Sequence, residues 1–384
     1  MLLVPIDGAE ESDDSISYRR KNTVTAGREI VDDALHVSGV RLAAERFART
    51  VVEVVDMGSQ VLNVIQGEVA AAQPGDGPLA LGSDSATTCH IVAFRNPSMG
   101  KTCLAHLDSS ERVSEAVGCM LARVGSTGGD NLSSRLETGD VAASPDAPLD
   151  VYIVGGYLGE PLADDLSQAL LSSLNASRQI FRLVLACISG LNSCRSHHDG
   201  DSSDNNNNLN TESDSSRHGE SWCPRQTSLA IDIASGRAFP VRFEGVGRGP
   251  GVELRYSRIF AGNREEALAE IYDASSDSIV VTPFPLLLDP REVMHLLSLS
   301  DQDLLAVSST SPDTEDSRFI DDARAQFRFI LRHAGADGRQ WAGSVFGGGE
   351  GKAGKPLVFR RRSRCGDGDA HEDAGDEKTT SDAS

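Results

Sequence analysis

The chain has 384 residues, 39% of them hydrophobic and 24% charged, enough for one large buried core or two smaller ones. A net charge of −21 repels polyanions, and no apolar run reaches the roughly 18 residues that cross a bilayer, so neither a nucleic-acid nor a membrane partner is expected. Seven cysteines without a CxxC pair fit neither a disulfide framework nor a structural zinc site, so no metal is expected in this soluble protein of a reducing compartment.

In chain order, the opening "MLLVPIDGAEESDD" turns acidic early and has neither the basic flank nor the apolar length of a signal peptide, which points to the cytoplasm. Residues 1–45 are polar and weakly patterned, with an amphipathic stretch at 40–47. From about 51 to 193, short apolar runs alternate with helical patterns. "VVEVV" and "VLNVI" read as strands, followed by the hairpin-like pair "TTCHIVAF" and "KTCLAHL". "DVYIVGGY" is a β-rich run stopped by two glycines. Leu162, Leu166, Leu170 and Leu174 then recur at helical spacing after Pro161, and "IFRLVLACI" is apolar enough for a central strand.

The segment 195–221, with a run of four asparagines and almost no apolar residue, cannot offset its own ordering entropy and is expected to be a disordered insertion. His197 and His198 within it invite a metal reading, but polar, asparagine-rich surroundings favour solvated side chains. Beyond it, "TSLAIDIASGRAFPVRF" and "IYDASSDSIVVTPF" read as hairpins. Helices are expected over 290–307 and 317–333, the second with Phe319, Ala323, Phe327 and Ile330 on one face and Asp316 or Ser317 as its cap. Residues 362–384 read as an acidic tail.

Two features imitate sites. Gly349 to Lys355 fits GxxxxGK, but Pro356 stands where a phosphate-binding loop needs Ser or Thr, and no strand and helix flank it. "RRRSR" (360–364) has the composition of a weak nuclear signal, although the end of a solvated strand explains it as well. Asn131 and Asn175 sit in glycosylation sequons that matter only in a secreted protein.

The stretch "LGSDSATTCHIVAF" (81–94) carries the chemistry. Alternation puts Cys89, Ile91 and Ala93 on one strand face and His90, Val92 and Phe94 on the other. On the returning strand Thr102, Leu104 and His106 alternate with Cys103, Ala105 and Leu107. If Phe94 pairs with Lys101, Cys89 lies opposite His106 on the same face. Cysteines on strands are usually inert packing residues. A thiol beside an imidazolium is instead converted to thiolate near neutral pH, and the same histidine can protonate a leaving amine. Ser83 and Thr88 can orient groups by hydrogen bonds, and backbone amides near Cys89 can hold an oxyanion.

The stretch "LGSDSATTCHIVAFRNPSMGKTCLAHLDSS" closely resembles the active-site region of the protein N-terminal asparagine amidohydrolases, eukaryotic enzymes that deamidate an N-terminal asparagine to aspartate. The similarity continues through "LNVIQGEVA" (62–70), "VYIVGGY" (151–157), "LSQALLSSL" (166–174), "SLAIDI" (228–233), "IYDA" (271–274), "TPFP" (282–285) and "STSP" (309–312). It implies an amidohydrolase domain over 46–361, interrupted by the 195–221 insertion, with an α/β fold in which packed β-sheets carry helices outside them, an αββα sandwich. It implies Cys89 as nucleophile, since that is the cysteine of the family's TTCH motif. The hairpin also resembles that of bacterial chemoreceptor glutamine deamidases, whose Thr–Cys–His set maps onto Ser83, Cys89 and His106, with serine replacing threonine.

The implied reaction is acyl transfer with no cofactor. Recognition of a free α-amine calls for a carboxylate near the thiol, for which Asp84 and Glu68 are the first candidates and Asp108 the third. Each has a plainer role open to it: Asp84 can cap a turn and Glu68 can sit in a solvated loop. The resemblance further implies downstream partners, an arginyltransferase and a ubiquitin ligase acting on the new N-terminal aspartate. The alternatives are a deamidase of internal Gln or Asn on a folded partner, and a non-catalytic adaptor whose acidic segments bind basic proteins.

Overall fold

The longest apolar runs of the sequence become the middle of one mixed sheet. The structure is a computed structural model and describes residues 2–5, 18–20, 28–56, 60–125, 147–195, 222–260, 267–284, 288–333 and 356–361. Across the sheet the eight strands run Ala269–Glu270, Glu68–Ala72, Lys101–Leu107, His90–Asn96, Leu149–Gly155, Phe181–Ile188, Leu2–Pro5 and Tyr18–Arg20. The central hairpin is antiparallel, whereas Leu149–Gly155, Phe181–Ile188 and Leu2–Pro5 run parallel to one another.

Strand alternation gives this sheet two apolar faces. Val92, Phe94, Cys103, Ala105, Val151 and Ile153 share a core with Val117, Met120, Leu166 and Leu170 of the helices Val113–Gly125 and Pro161–Ala176. On the other face Ile91, Ala93, Leu104, Tyr152 and Val154 pack with Leu62, Leu81, Leu229 and Ile231 of a second sheet. Its order is Ala238–Phe239, Leu229–Asp232, Ala80–Ser83, Val61–Asn63. Full burial of one such side chain contributes roughly 1.5–3 kcal/mol, so this two-sided core fixes the layers more firmly than any helix propensity. The far side of the second sheet carries Val55, Val241 and Phe243 from a parallel strand pair. The C-terminal helices Pro290–Ser298, Asp301–Ser308 and Arg318–His333 join the core between the sheets through Val293, Leu304, Phe327 and Ile330. The fold is α/β: sheet packs on sheet, with helices on the outer face of the large sheet and a strand pair on that of the second.

Several local readings change. The hairpin pairs Asn96 with Lys101 and Phe94 with Cys103, two residues away from the expected register. The cause is the turn at 97–100: Asn96 Oδ1 accepts from the Ser98 and Met99 amides at 3.2 and 3.3 Å, and Gly100 takes φ +66°. A slip of two preserves the faces, so His106 pairs with Ile91 and lies diagonal to Cys89 on the same side. The helix expected over 290–307 is two helices, and the second is capped by Ser300 Oγ, which accepts from the Asp303 amide at 3.1 Å. Helix Arg318–His333 is capped by Asp316, as expected, and buries Ala323, Phe327 and Ile330. The described parts of 1–45 contribute two strands to the large sheet and the helices Arg28–Leu35 and Ser38–Ala48, the latter burying Val40, Ala44 and Phe47. Of the stretch 195–221 read as disordered, Arg195 ends a short strand and the rest falls outside the described residues, as do the tail at 362–384 and the GxxxxGK stretch.

Candidate active site

The nucleophile candidate sits where the chain crosses from one sheet to the other. Residues 84–89 leave the second-sheet strand Ala80–Ser83 and enter the large-sheet strand His90–Asn96. Ser85 in this crossing has φ +61°, a left-handed conformation that costs a non-glycine residue energy and marks an over-determined loop. Backbone bonds hold it on both sides: the Ala86 amide donates to Thr227 O and the Gly156 amide to Thr87 O. Gly155, at φ +129°, admits the loop because a Cβ there would overlap the Cys89 carbonyl oxygen. That contact gives the glycine pair of "VYIVGGY" its physical reason.

Two of the expected residues are brought into contact. Ser83 Oγ lies 2.8 Å from His106 Nδ1, a buried bond that joins inner strands of the two sheets. His106 Nε2 is buried with no hydrogen-bond partner among the described residues. Cys89 is partly buried and packs against the same inter-sheet core, whereas Cys103 is fully buried toward the helices, so alternation separates the two thiols as expected. His90 points to the helix side, its Nε2 2.7 Å from Ser167 Oγ.

The protonation states differ from the expected ion pair. Burial, together with the charges of Asp108 and Glu315, pushes the Cys89 thiol up to about 12, and the hydrogen-bonding Thr88 hydroxyl opposes this only in part. Burial pushes His106 down to about 4 against the pull of Asp108. At neutral pH the resting pair is therefore thiol and neutral imidazole. A neutral imidazole is the form that can accept a proton, so the arrangement suits a general base.

These shifts have a stability consequence. His90 is pushed down to about 4 by burial as well. Below its ordinary value near 6.5, each histidine binds protons more strongly in the unfolded chain than in the folded one. Their contribution is intact above about pH 6.5 and is lost as pH falls toward 4. Asp84 and Glu315, raised by burial, act in the opposite sense and offset part of the loss. The expected result is a Tm that declines from pH 6.5 to 4 and a shallower decline in His90→Gln. A Tm flat through that window contradicts the assignment.

The carboxylates divide. Glu68 is 0% exposed and saturated: its oxygens take Arg255 Nε at 3.0 Å, Arg255 Nη2 at 2.5 Å and the Ile65 amide at 3.0 Å, with Arg258 at 3.6 Å. Asp84 Oδ2 accepts from the Phe243 amide at 2.9 Å, with Arg248 and Arg318 as its charged neighbours. Both serve the framework in this structure. Asp108 remains beside the pair, taking Gln66 Nε2 at 3.2 Å and acting on both Cys89 and His106. A residue the sequence reading missed joins it. Glu315 accepts from Ser309 Oγ at 2.6 Å and acts electrostatically on Cys89. Its loop reaches the residue before Cys89, since Thr310 Oγ1 lies 3.1 Å from Thr88 Oγ1. The signal was available, because "STSP" ends three residues before Glu315. Among the described residues no group of His, Cys, Asp and Glu side chains is arranged to hold a metal.

The profile of the family described as Protein N-terminal asparagine amidohydrolase matches residues 51–202 and 206–366. Curated proteins bearing that name are similar along most of the chain. The Mus musculus protein is 30% identical over 279 residues, 71% of this chain and 75% of the relative. The Homo sapiens protein is 29% identical over 275 residues, with the same coverage. The Arabidopsis thaliana protein is 23% identical over 360 residues, 86% of this chain and 92% of the relative. With a match that takes in the second sheet, six of the eight strands of the large one, the crossing before Cys89 and the Glu315 loop, the chain belongs to the protein N-terminal asparagine amidohydrolase family.

Proposed function

We propose that this protein hydrolyses the side-chain amide of an N-terminal asparagine, leaving aspartate and releasing ammonia, with Cys89 as nucleophile. The observation that carries the chemistry is the Ser83–His106 bond at 2.8 Å, which leaves Nε2 as the only uncommitted nitrogen of a neutral imidazole on the Cys89 face. In the working tautomer Nδ1–H donates to Ser83 Oγ and Nε2 takes the Cys89 proton. The thiolate attacks Cγ of the asparagine, and backbone amides at Cys89 receive the oxyanion. His106 returns its proton to the departing nitrogen as the C–N bond breaks, leaving a thioester and ammonia. Water, deprotonated by His106, then releases the aspartate and regenerates the thiol.

The α-ammonium of the substrate is placed between Asp108 and Glu315. On their own these charges oppose formation of the Cys89 thiolate. A bound ammonium offsets part of that charge, so a free-amine substrate both docks and eases ionisation of its own nucleophile. An acetylated substrate does neither. The product, an N-terminal aspartate, suits an arginyltransferase and then a ubiquitin ligase in the cytoplasm, and the deamidation starts that route to degradation.

The test is ammonia release from matched peptides beginning with Asn, acetyl-Asn and Gln. Turnover is expected on free Asn, with acetyl-Asn lower by about 30-fold or more, the effect of leaving a desolvated carboxylate unpaired at about 2–5 kcal/mol. Comparable kcat/KM on free and acetylated peptides overturns the N-terminal reading in favour of internal deamidation.

A further inference from the structure

We propose that Cys194 and Cys223 form a reversible intrachain disulfide across the two strands that carry them. The pair lies outside the amidohydrolase site and is not visible in the spacing of the sequence. Ser193–Arg195 and Trp222–Pro224 form a two-stranded antiparallel ladder in which Cys194 is the direct partner of Cys223. Directly opposed residues in such a ladder lie about 4.5–5.5 Å apart at Cα, inside the range of about 4.4–6.8 Å that a disulfide bridges. The two Sγ atoms are 2.9 Å apart, and each thiol also turns to the other residue's carbonyl, at 3.4 and 3.5 Å. Arg195 stacks over Trp222 at 5.7 Å in the adjacent pair, which holds the strands in register.

The surroundings allow the chemistry. Both cysteines are partly exposed, so a small oxidant has access. Burial and the neighbouring thiol raise Cys223 to about 11, which slows exchange without forbidding it. With oxidised glutathione as the co-reactant, one thiolate attacks its disulfide, forming a mixed disulfide and releasing one reduced glutathione. The second protein thiol then displaces the other. Two protein thiols lose two hydrogens in all, and one glutathione disulfide becomes two thiols.

The link fastens a part of the fold that supports the nucleophile crossing. Asn192, two residues before Cys194, donates to Gly156 O at 2.9 Å and Gln226 O at 2.8 Å, and accepts from the Gln226 amide at 2.9 Å. Gly156 in turn donates to Thr87 O. A bond between Cys194 and Cys223 thus clamps a ladder sewn to the loop before Cys89.

The full chain is equilibrated in glutathione buffers from reducing to oxidising, quenched by alkylation and digested with trypsin. Of the seven cysteines, two become unreactive together, and Leu183–Arg195 is recovered joined to the peptide 218–225. Cys187 lies in the same tryptic peptide, so C194S decides between them: it should abolish the link and trap glutathione on Cys223. Glutathione persisting on Cys223 of the unaltered chain at equilibrium overturns the proposal. So does a link that survives in C194S, or two free thiols across the whole range.

Discussion

Cys89→Ala is expected to lower kcat/KM on Asn-initiated peptides by about 10⁴–10⁶-fold, the scale on which removal of a nucleophile acts. The Tm is expected to change little, because the thiol lies at the margin of the inter-sheet core rather than within it. Cys103→Ala is the contrasting change. Its side chain is fully buried against the helices, so its loss trims packing and leaves activity within a few-fold. Alkylation separates the two further, since a 0%-exposed Cys103 reacts only as the protein opens. Substantial turnover by Cys89→Ala, or inactivation that tracks modification of Cys103, removes Cys89 as the nucleophile. His106→Ala should match Cys89→Ala, while Ser83→Ala should lose less, because serine only orients the ring.

How far the site could be read in advance depended on whether local or distant contacts set each feature. The face of Cys89 and His106 follows from a period of two and needs nothing but the hairpin. Their pairing does not, because the Asn96 side chain builds a four-residue turn and slides the register by two. The protonation states were out of reach: a cysteine near a histidine suggests thiolate and imidazolium, but burial between two sheets keeps both neutral. Glu68 and Asp84 were natural candidates by proximity in sequence. Their partners, Arg255 and Arg258 for one and the Phe243 amide for the other, come from more than 150 residues away. Glu315 shows the converse, a distant loop brought beside Cys89 by the contact of Thr310 with Thr88 and by C-terminal helices that join the inter-sheet core. Cys194 and Cys223 are likewise joined only by a ladder across 29 positions.

Asp108→Asn and Glu315→Gln are expected to move two measurements in opposite directions. Each carboxylate raises the Cys89 thiol, so removing either charge lowers its pKa and speeds alkylation by a neutral reagent. The same change withdraws a partner from the substrate α-ammonium. At about 2–5 kcal/mol for one side of a desolvated charged pair, kcat/KM on free Asn peptides falls by about 30- to several-thousand-fold. Acetyl-Asn peptides have no ammonium to lose, so discrimination between the two substrates shrinks. Glu68→Gln supplies the control. It leaves Arg255 and Arg258 buried beside a neutral group, which costs stability on the order of 3–5 kcal/mol and lowers Tm, but it does not quicken alkylation. A variant that merely loosened the fold would raise the alkylation of Cys89 and Cys103 alike. Faster modification of Cys89 alone, with poorer use of the free amine, is the signature of a carboxylate that waits for the substrate's charge. If Asp108→Asn and Glu315→Gln both keep full discrimination against acetyl-Asn, the α-ammonium is held elsewhere and the placement between these two carboxylates is wrong.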